Sequence, residues 1–287
     1  MDEKRTSGKK WRLALAGAGA TLALCLVARR ALSGFVAQIE TPQPDLCQGF
    51  ESEGLHCVNL GVTTTYLLKG QDGYLLIDTG YAKDYTSFID GLARVGVGRD
   101  QIKALLLTHG HDDHAGFAAR LLEETGARLI THRDALPLLC GEQMTGQGVR
   151  SLNGRILVLT ALYTLITRRD IEYPPLTPGD KDVILDGDDT QVLRDLGFDA
   201  RVIHTPGHTA DSISVVTPDG KAFCGDAVMN FLPVSGAGLR PIFVADQEQV
   251  FASWRKILDS GAQVIYPAHG APLAAERLAE ALQAFRS

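Results

Sequence analysis

The five cysteines of the chain (Cys25, Cys47, Cys57, Cys140 and Cys224) include no C-x-x-C pair, which argues against a cysteine-built zinc knuckle or a thioredoxin-like redox centre. Cys47 and Cys57 lie ten apart in "CQGFESEGLHC"; a disulfide in an oxidising compartment and two unpaired thiols both fit that spacing. Positive charge is scarce where a nucleic-acid binder needs it. Residues 1–30 hold seven Lys/Arg against two acidic residues, and the rest of the chain holds 21 basic against 32 acidic residues. An acidic body with no Lys/Arg cluster is a poor match for a phosphate backbone, so no nucleic-acid partner is expected. Histidine is also scarce, with 8 in 287 residues. No internal repeat and no low-complexity segment occurs. The longest apolar run, Leu13–Ala28, has 16 residues, short of the about 20 that a spanning helix usually needs.

That run is nonetheless flanked by "KKWR" before and Arg29–Arg30 after, and it has no polar face. Terminal arginines can snorkel and extend a helix's reach. Residues 1–37 are therefore expected to be a basic N-terminus with a hydrophobic signal-anchor helix. "ALS" at Ala31–Ser33 fits a cleavage site loosely, which leaves a secreted form open. The excess of positive residues before the run predicts a cytoplasmic N-terminus and a membrane-anchored catalytic domain on the non-cytoplasmic side. Residues 38–54, with two prolines and no periodicity, read as a linker.

Beyond the linker, short apolar runs alternate with helical patterns. "TTTYLLKG" and "GYLLIDTG" are strands of a hairpin split by "GQDG". "IKALLLTHG", "ARLITH", "ARVIHT", "SISVVTPDGKAFCGD" and "AQVIYPAHG" supply further strands, and "YTSFIDGLARVG", "GFAARLLEETG" and "QEQVFASWRKILDSG" supply helices. This alternation predicts a layered α/β domain over 55–287. "RILVLTALYTLITRR" breaks the rhythm. It reads first as a core helix, and otherwise as part of a lid over 139–175 or a surface that touches a bilayer.

"LTHGHDDHAG" then concentrates three histidines and two aspartates at a strand end. Imidazoles and carboxylates crowded together are costly to desolvate unless something binds them, and a divalent cation suits that donor set. His109 and His111 point the same way in an extended segment. Asp113 and His114 follow as the chain turns into a helix and face a second ion. Neither ion is then complete. His208 in "HTPGHTADS", Asp226 in "FCGDAV" and His269 in "YPAHGAP" sit just past strand ends, where α/β folds carry functional groups.

The set "THGHDDH", "TPGHT", "GD" and "PAHG", preceded by "LLIDTG" with Asp78, resembles the metallo-β-lactamase superfamily over roughly residues 55–287. The resemblance implies an αββα sandwich, here preceded by the N-terminal hydrophobic helix, with a dinuclear site at one edge. It implies that His109, His111 and His208 bind one metal and that Asp113, His114 and His269 bind the other. Asp226 would bridge them, and Asp78 would orient ligands without binding metal. His56, His132 and His204 have no such counterparts, although His204 ends a strand near the site.

Two cations, zinc being the natural choice, would generate a bridging hydroxide near neutral pH to attack a carbonyl, with Asp113 or Asp226 taking the proton. The expected activity is hydrolysis of an ester-like bond (lactone, ester or thioester) in a small molecule with an aliphatic part. The alternatives are a mononuclear iron oxidoreductase of the persulfide dioxygenase type, with metal held by His109, His208 and Asp226, and a zinc β-lactamase. Asp226 speaks against the latter. Tyr163, Tyr173 and Phe243 are candidates for the pocket wall.

Overall fold

Strand Tyr74–Ile77 (β3) shows how the chain builds its layers. Successive side chains of a strand face opposite ways, yet Leu75, Leu76 and Ile77 are all buried. Both faces of its sheet must therefore be covered. The computed structural model, which describes residue 30 and residues 33–142, 148–167 and 173–285, shows by what. Leu75 and Ile77 join an apolar cluster with Val202, Val215, Phe223 and Tyr266 of a second sheet. Leu76 joins a different cluster with Phe88, Leu92 and Leu121, which come from helices Tyr85–Arg94 (α1) and Ala118–Thr125 (α2).

The first sheet has six strands: Leu55–Asn59 (β1), Thr64–Lys69 (β2), β3, Ile102–Leu106 (β4), Arg128–His132 (β5) and Val183–Leu185 (β7). The two-residue strand Arg150–Ser151 (β6) lies outside it. β1, β2 and β3 form an antiparallel meander, and β3, β4, β5 and β7 run parallel. The second sheet has five strands: Arg201–His204 (β8), Ile213–Val216 (β9), Lys221–Gly225 (β10), Val264–Pro267 (β12) and Leu273–Ala274 (β13). β6 pairs instead with Phe243–Val244 (β11). The outer face of the second sheet packs on a third cluster around Trp254, Ile257 and Leu278. These residues come from Gln247–Asp259 (α4) and Ala275–Ala284 (α5); Gly154–Thr167 is α3. The order of layers is thus helix, sheet, sheet, helix. Burying an apolar side chain such as Phe88 or Ile257 stabilises by roughly 2–3 kcal/mol, and the Trp254 indole satisfies its N–H on Ala227 O at 2.7 Å. Asp246 caps α4 by accepting from the N–H groups of Glu248 and Gln249.

The chain divides into two compact units, 1–41 and 42–287. In the first, residues 33–40 are helical. In the second, residues 42–54 belong to the body, because Cys47 is buried in the intersheet cluster and the N–H of Gln43 donates to Asn59 Oδ1. All four described cysteines, Cys47 and Cys57 included, are free.

Two expectations need correction. Among the described residues no helix is long and apolar enough to cross a membrane, so the membrane-anchored, non-cytoplasmic placement is withdrawn. The Leu13–Ala28 run on which it rested lies outside the described residues. The stretch read as a core helix forms α3, but only its Ile156 is buried. Leu157, Val158 and Leu165 stand 58–74% exposed. A helix that is apolar on every side has no face to sort, so its pattern gives no sign of which side packs.

Candidate metal centre

Four segments converge at one end of the two sheets. The chain leaves β4 through Leu107–His111 into the single turn Asp112–Ala115. The β8–β9 turn brings His208, the end of β10 brings Asp226, and the end of β12 brings His269. The N–H of Ile213 donates to Thr108 O at 2.9 Å, joining the sheets beside the cluster. Gly225 lies at φ +49, and a Cβ there would sit 2.3 Å from Thr108 Oγ1. Glycine alone lets β10 end this close to β4. Gly270, at φ +92, similarly has Asn230 O 1.9 Å from where its Cβ would be.

The first triad is made of nitrogens. His109 Nε2 lies 3.0 Å from His111 Nδ1, and His208 Nε2 lies 3.2 Å from the former and 3.0 Å from the latter. The far nitrogen of His208 donates to Phe243 O at 2.7 Å, and His109 Nδ1 contacts Thr108 Oγ1 at 3.1 Å. For His208 that bond fixes the tautomer and leaves Nε2 as a bare lone pair. Phe243, expected as a ring on the pocket wall, contributes its carbonyl.

The second triad adds a carboxylate. His269 Nε2 lies 3.2 Å from Asp113 Oδ2, and His114 Nε2 lies 3.7 Å from Asp113 Oδ1. His114 Nδ1 donates to Asp78 Oδ2 at 2.8 Å, and His269 Nδ1 donates to Val62 O at 2.9 Å. Asp78, at φ +59, also accepts from the N–H and Oγ1 of Thr108, both at 2.7 Å. Asp226 stands between the triads: Oδ1 is 3.3 Å from His114 Nε2 and 3.2 Å from His269 Nε2, while Oδ2 is 3.5 Å from His208 Nε2.

The electrostatics differ on the two sides. Burial, with the neighbouring imidazoles added, holds His109 well below the ordinary histidine range. Burial also pushes His208 down to about 4, although Asp226 opposes it. In the second triad burial is outweighed. Asp226 and Asp113 raise His269 to about 10, and Asp78 and Asp113 raise His114 well above its usual range. In return His114 and His269 hold Asp113 below the usual carboxylate range, against its burial.

The donor set fits divalent cations. His114 Nε2 and Asp226 Oδ1 are buried without a hydrogen-bond partner, and the imidazole nitrogens of the first triad face one another at hydrogen-bond distance. Lone pairs packed this way are unfavourable without a cation between them. Among the described residues, three groups have ligand atoms within 4.8 Å of one another: His109, His111 and His208; His109, His114 and Asp226; Asp113, His114 and His269.

All seven expected ligand residues and Asp78 thus meet in one place. His204 does not join them. It stacks on His132 at 4.4 Å, with its Nε2 on Ala210 O. Four further contacts surround the centre; of their residues only Tyr173 was a candidate from the sequence, as part of the pocket wall. Tyr81 donates to Asp113 Oδ2 at 3.1 Å, and Phe231 lies 5.9 Å from the His269 ring. Asp211 accepts from the N–H of Gly110, and Tyr173 donates to Gly110 O. The tyrosine and phenylalanine positions lie in no motif, and Asp211 was passed over although it sits three residues after His208 in "TPGHTADS".

Comparison with known proteins agrees with this geometry. Beta-lactamase-like protein 2 homolog of Drosophila melanogaster is 29% identical over 214 residues, which is 72% of this chain and 58% of the fly protein. Atrochrysone carboxyl ACP thioesterase of Aspergillus chevalieri is 30% identical over 224 residues, 77% of this chain and 53% of its own. The chain therefore spans a little over half the length of each. Among solved structures, the subclass B3 metallo-beta-lactamase BJP-1 of Bradyrhizobium japonicum superposes with a TM-score of 0.58 at 20% identity, covering 87% of this chain and 94% of that one, a likeness of fold. The sequence profile of the metallo-beta-lactamase superfamily matches residues 58–269, and the chain belongs to that superfamily.

Proposed function

We propose that the chain is a dinuclear metal-dependent hydrolase that cleaves an ester-like carbonyl: a lactone, an ester or a thioester. The observation that carries this reading is the two-sided placement of Asp226, whose Oδ1 faces His114 and His269 while its Oδ2 faces His208. His109, His111 and His208 would hold one cation, Asp113, His114 and His269 the other, and Asp226 both; zinc suits these donors. Such a pair of cations lowers the pKa of a shared water towards neutrality and polarises a carbonyl oxygen.

The protein's own groups divide the remaining work. Asp113 and Asp226 are held ionised by the neighbouring imidazoles, so each can accept a proton. Asp113 is the more accessible, at 15% exposure against 6%, and Tyr81 fixes one of its oxygens. Asp78 and Val62 O orient the second-triad histidines, and Phe243 O orients His208. Cys224, two residues before Asp226, is a poor nucleophile, since burial pushes its thiol up to about 12. Phe231, partly exposed beside His269, offers an apolar wall for a small-molecule substrate. The thioesterase relative favours the thioester member of the class.

The test is turnover of four substrates by the full chain, with and without a chelator. They are a long-chain acyl lactone, a glutathione thioester, a chromogenic cephalosporin and a phosphodiester. Chelator-sensitive cleavage of the lactone or thioester is expected. Cleavage of the phosphodiester or cephalosporin alone would overturn the substrate class. Iron content with oxygen uptake and no hydrolysis would overturn the hydrolase.

A further inference from the structure

Gly110 lies between His109 and His111 and carries no side chain to restrain it. Its two dihedrals separate the two peptide groups that aim the imidazoles, and glycine is the residue freest to turn about them. Both peptide groups are nonetheless held. The N–H of Gly110, in the His109–Gly110 peptide, donates to Asp211 Oδ2 at 2.8 Å. The carbonyl of Gly110, in the Gly110–His111 peptide, accepts from the Tyr173 hydroxyl at 2.6 Å. Asp211 is only 7% exposed. On a third side a Cβ on Gly110 would meet Leu138 at 3.3 Å and Ala135 O at 3.5 Å, so Leu138 would have to give by a few tenths of an ångström.

We propose that Asp211 and Tyr173 are positioning residues: by locking the two peptide planes on either side of Gly110, they hold His109 Nε2 and His111 Nδ1 3.0 Å apart, close enough to share one cation. The inference rests on reading these histidines as ligands of the first metal. Each partner is remote, Asp211 by 101 residues and Tyr173 by 63. Asp211 arrives on the same turn as His208, so one short segment both supplies the third ligand and orients the other two. Tyr173 follows α3, so the exposed apolar segment is tied to the metal loop. Burial, with Asp112 and Asp211 nearby, raises the Tyr173 hydroxyl, and the phenol remains a donor across the working pH range.

The test is cobalt(II) titration of the metal-free full-length protein against a competing chelator. The visible d–d spectrum reports the geometry of the histidine-rich site. Tyr173→Phe and Asp211→Ala are expected to weaken the first-bound cobalt by about 10- to 100-fold and to alter its spectrum. Asp211→Asn keeps an acceptor oxygen for Gly110 and is expected to stay near wild type. In turnover assays, kcat falls with little change in KM, and excess metal restores it. Wild-type affinity and spectrum in both Tyr173→Phe and Asp211→Ala would overturn the proposal. So would a loss in Asp211→Asn equal to that in Asp211→Ala, because charge rather than geometry would then be at work. If Asp211→Ala does not fold, Tyr173→Phe, which removes a single oxygen, decides. A wild-type protein that takes up no cobalt would instead sink the metal reading itself.

Discussion

His208, His114 and His269 each turn one nitrogen to the centre and commit the other to an oxygen of the fold. Asp78 is the most heavily used of these acceptors, accepting from Thr108 N, Thr108 Oγ1 and His114 Nδ1. An amide has a single acceptor oxygen, so Asp78→Asn cannot serve all three, although Asn tolerates the left-handed backbone there. Asp78→Asn is expected to lower metal affinity at the second triad by about 10- to 100-fold, read by chelator competition. The second residue-scale consequence is protonic. His114 and His269 are raised, so both carry protons near neutral pH in the metal-free protein. His109 and His208 are lowered and are already neutral. Loading the second triad must therefore expel protons, and its affinity should climb with pH until His269 titrates at about 10. Loading the first triad should expel none near neutrality. Calorimetry in buffers of different ionisation enthalpy separates the two events.

Among the elements, α3 has the most uneven packing. Ile156→Ala should cost roughly 2–4 kcal/mol in urea unfolding, because Ile156 is 1% exposed. Leu157→Ala and Leu165→Ala should each change stability by no more than about 0.5 kcal/mol, since both side chains are mostly in solvent. Equal losses at all three positions would mean that α3 packs differently in solution. This helix also marks a limit of sequence reading. Strands such as β3 and helices such as α2 were legible, because strand alternation and one-sided apolar stripes are local patterns. The ligand residues were legible for a related reason: four of the seven candidates fall in the single motif "HGHDDH", whose residue types have few other uses together. The burial of Ile156 in α3 was not legible, since the start of the helix meets a distant turn, where Asn153 Nδ2 donates to Ser235 O. Tyr81 and Phe231 were not legible as contacts to the centre, and Tyr173 was legible only as a residue of the pocket wall. They are common residue types, and only tertiary folding brings them there.

For the molecule as a whole, His132 ends β5 in one sheet and His204 ends β8 in the other, and their rings stack at an interplanar angle of 10°. Burial, with the charge of His204 added, lowers His132, while Asp134 and Asp211 oppose the shift. The folded state thus favours neutral His132. Its contribution is present above the unfolded value of about 6.5 and is lost as pH falls below it. The melting temperature of wild type is expected to drop more than that of His132→Gln between about pH 7.5 and about pH 5.5, and parallel curves would refute this.

The strands of the first sheet all come from residues 55–185 and those of the second from 201–274. Each triad takes ligands from both: His109 and His111 with His208, and Asp113 and His114 with His269. The sandwich is therefore two consecutive halves of chain whose candidate metal ligands meet at one rim. A polypeptide cut between residues 186 and 200 should behave as a pair of complementing fragments, held by the intersheet apolar cluster and drawn tighter by metal. Co-expressed halves should co-purify with or without chelator, and zinc should raise the denaturant concentration needed to part them, which would make the rim a metal-tuned clasp on two complementing pieces of one fold.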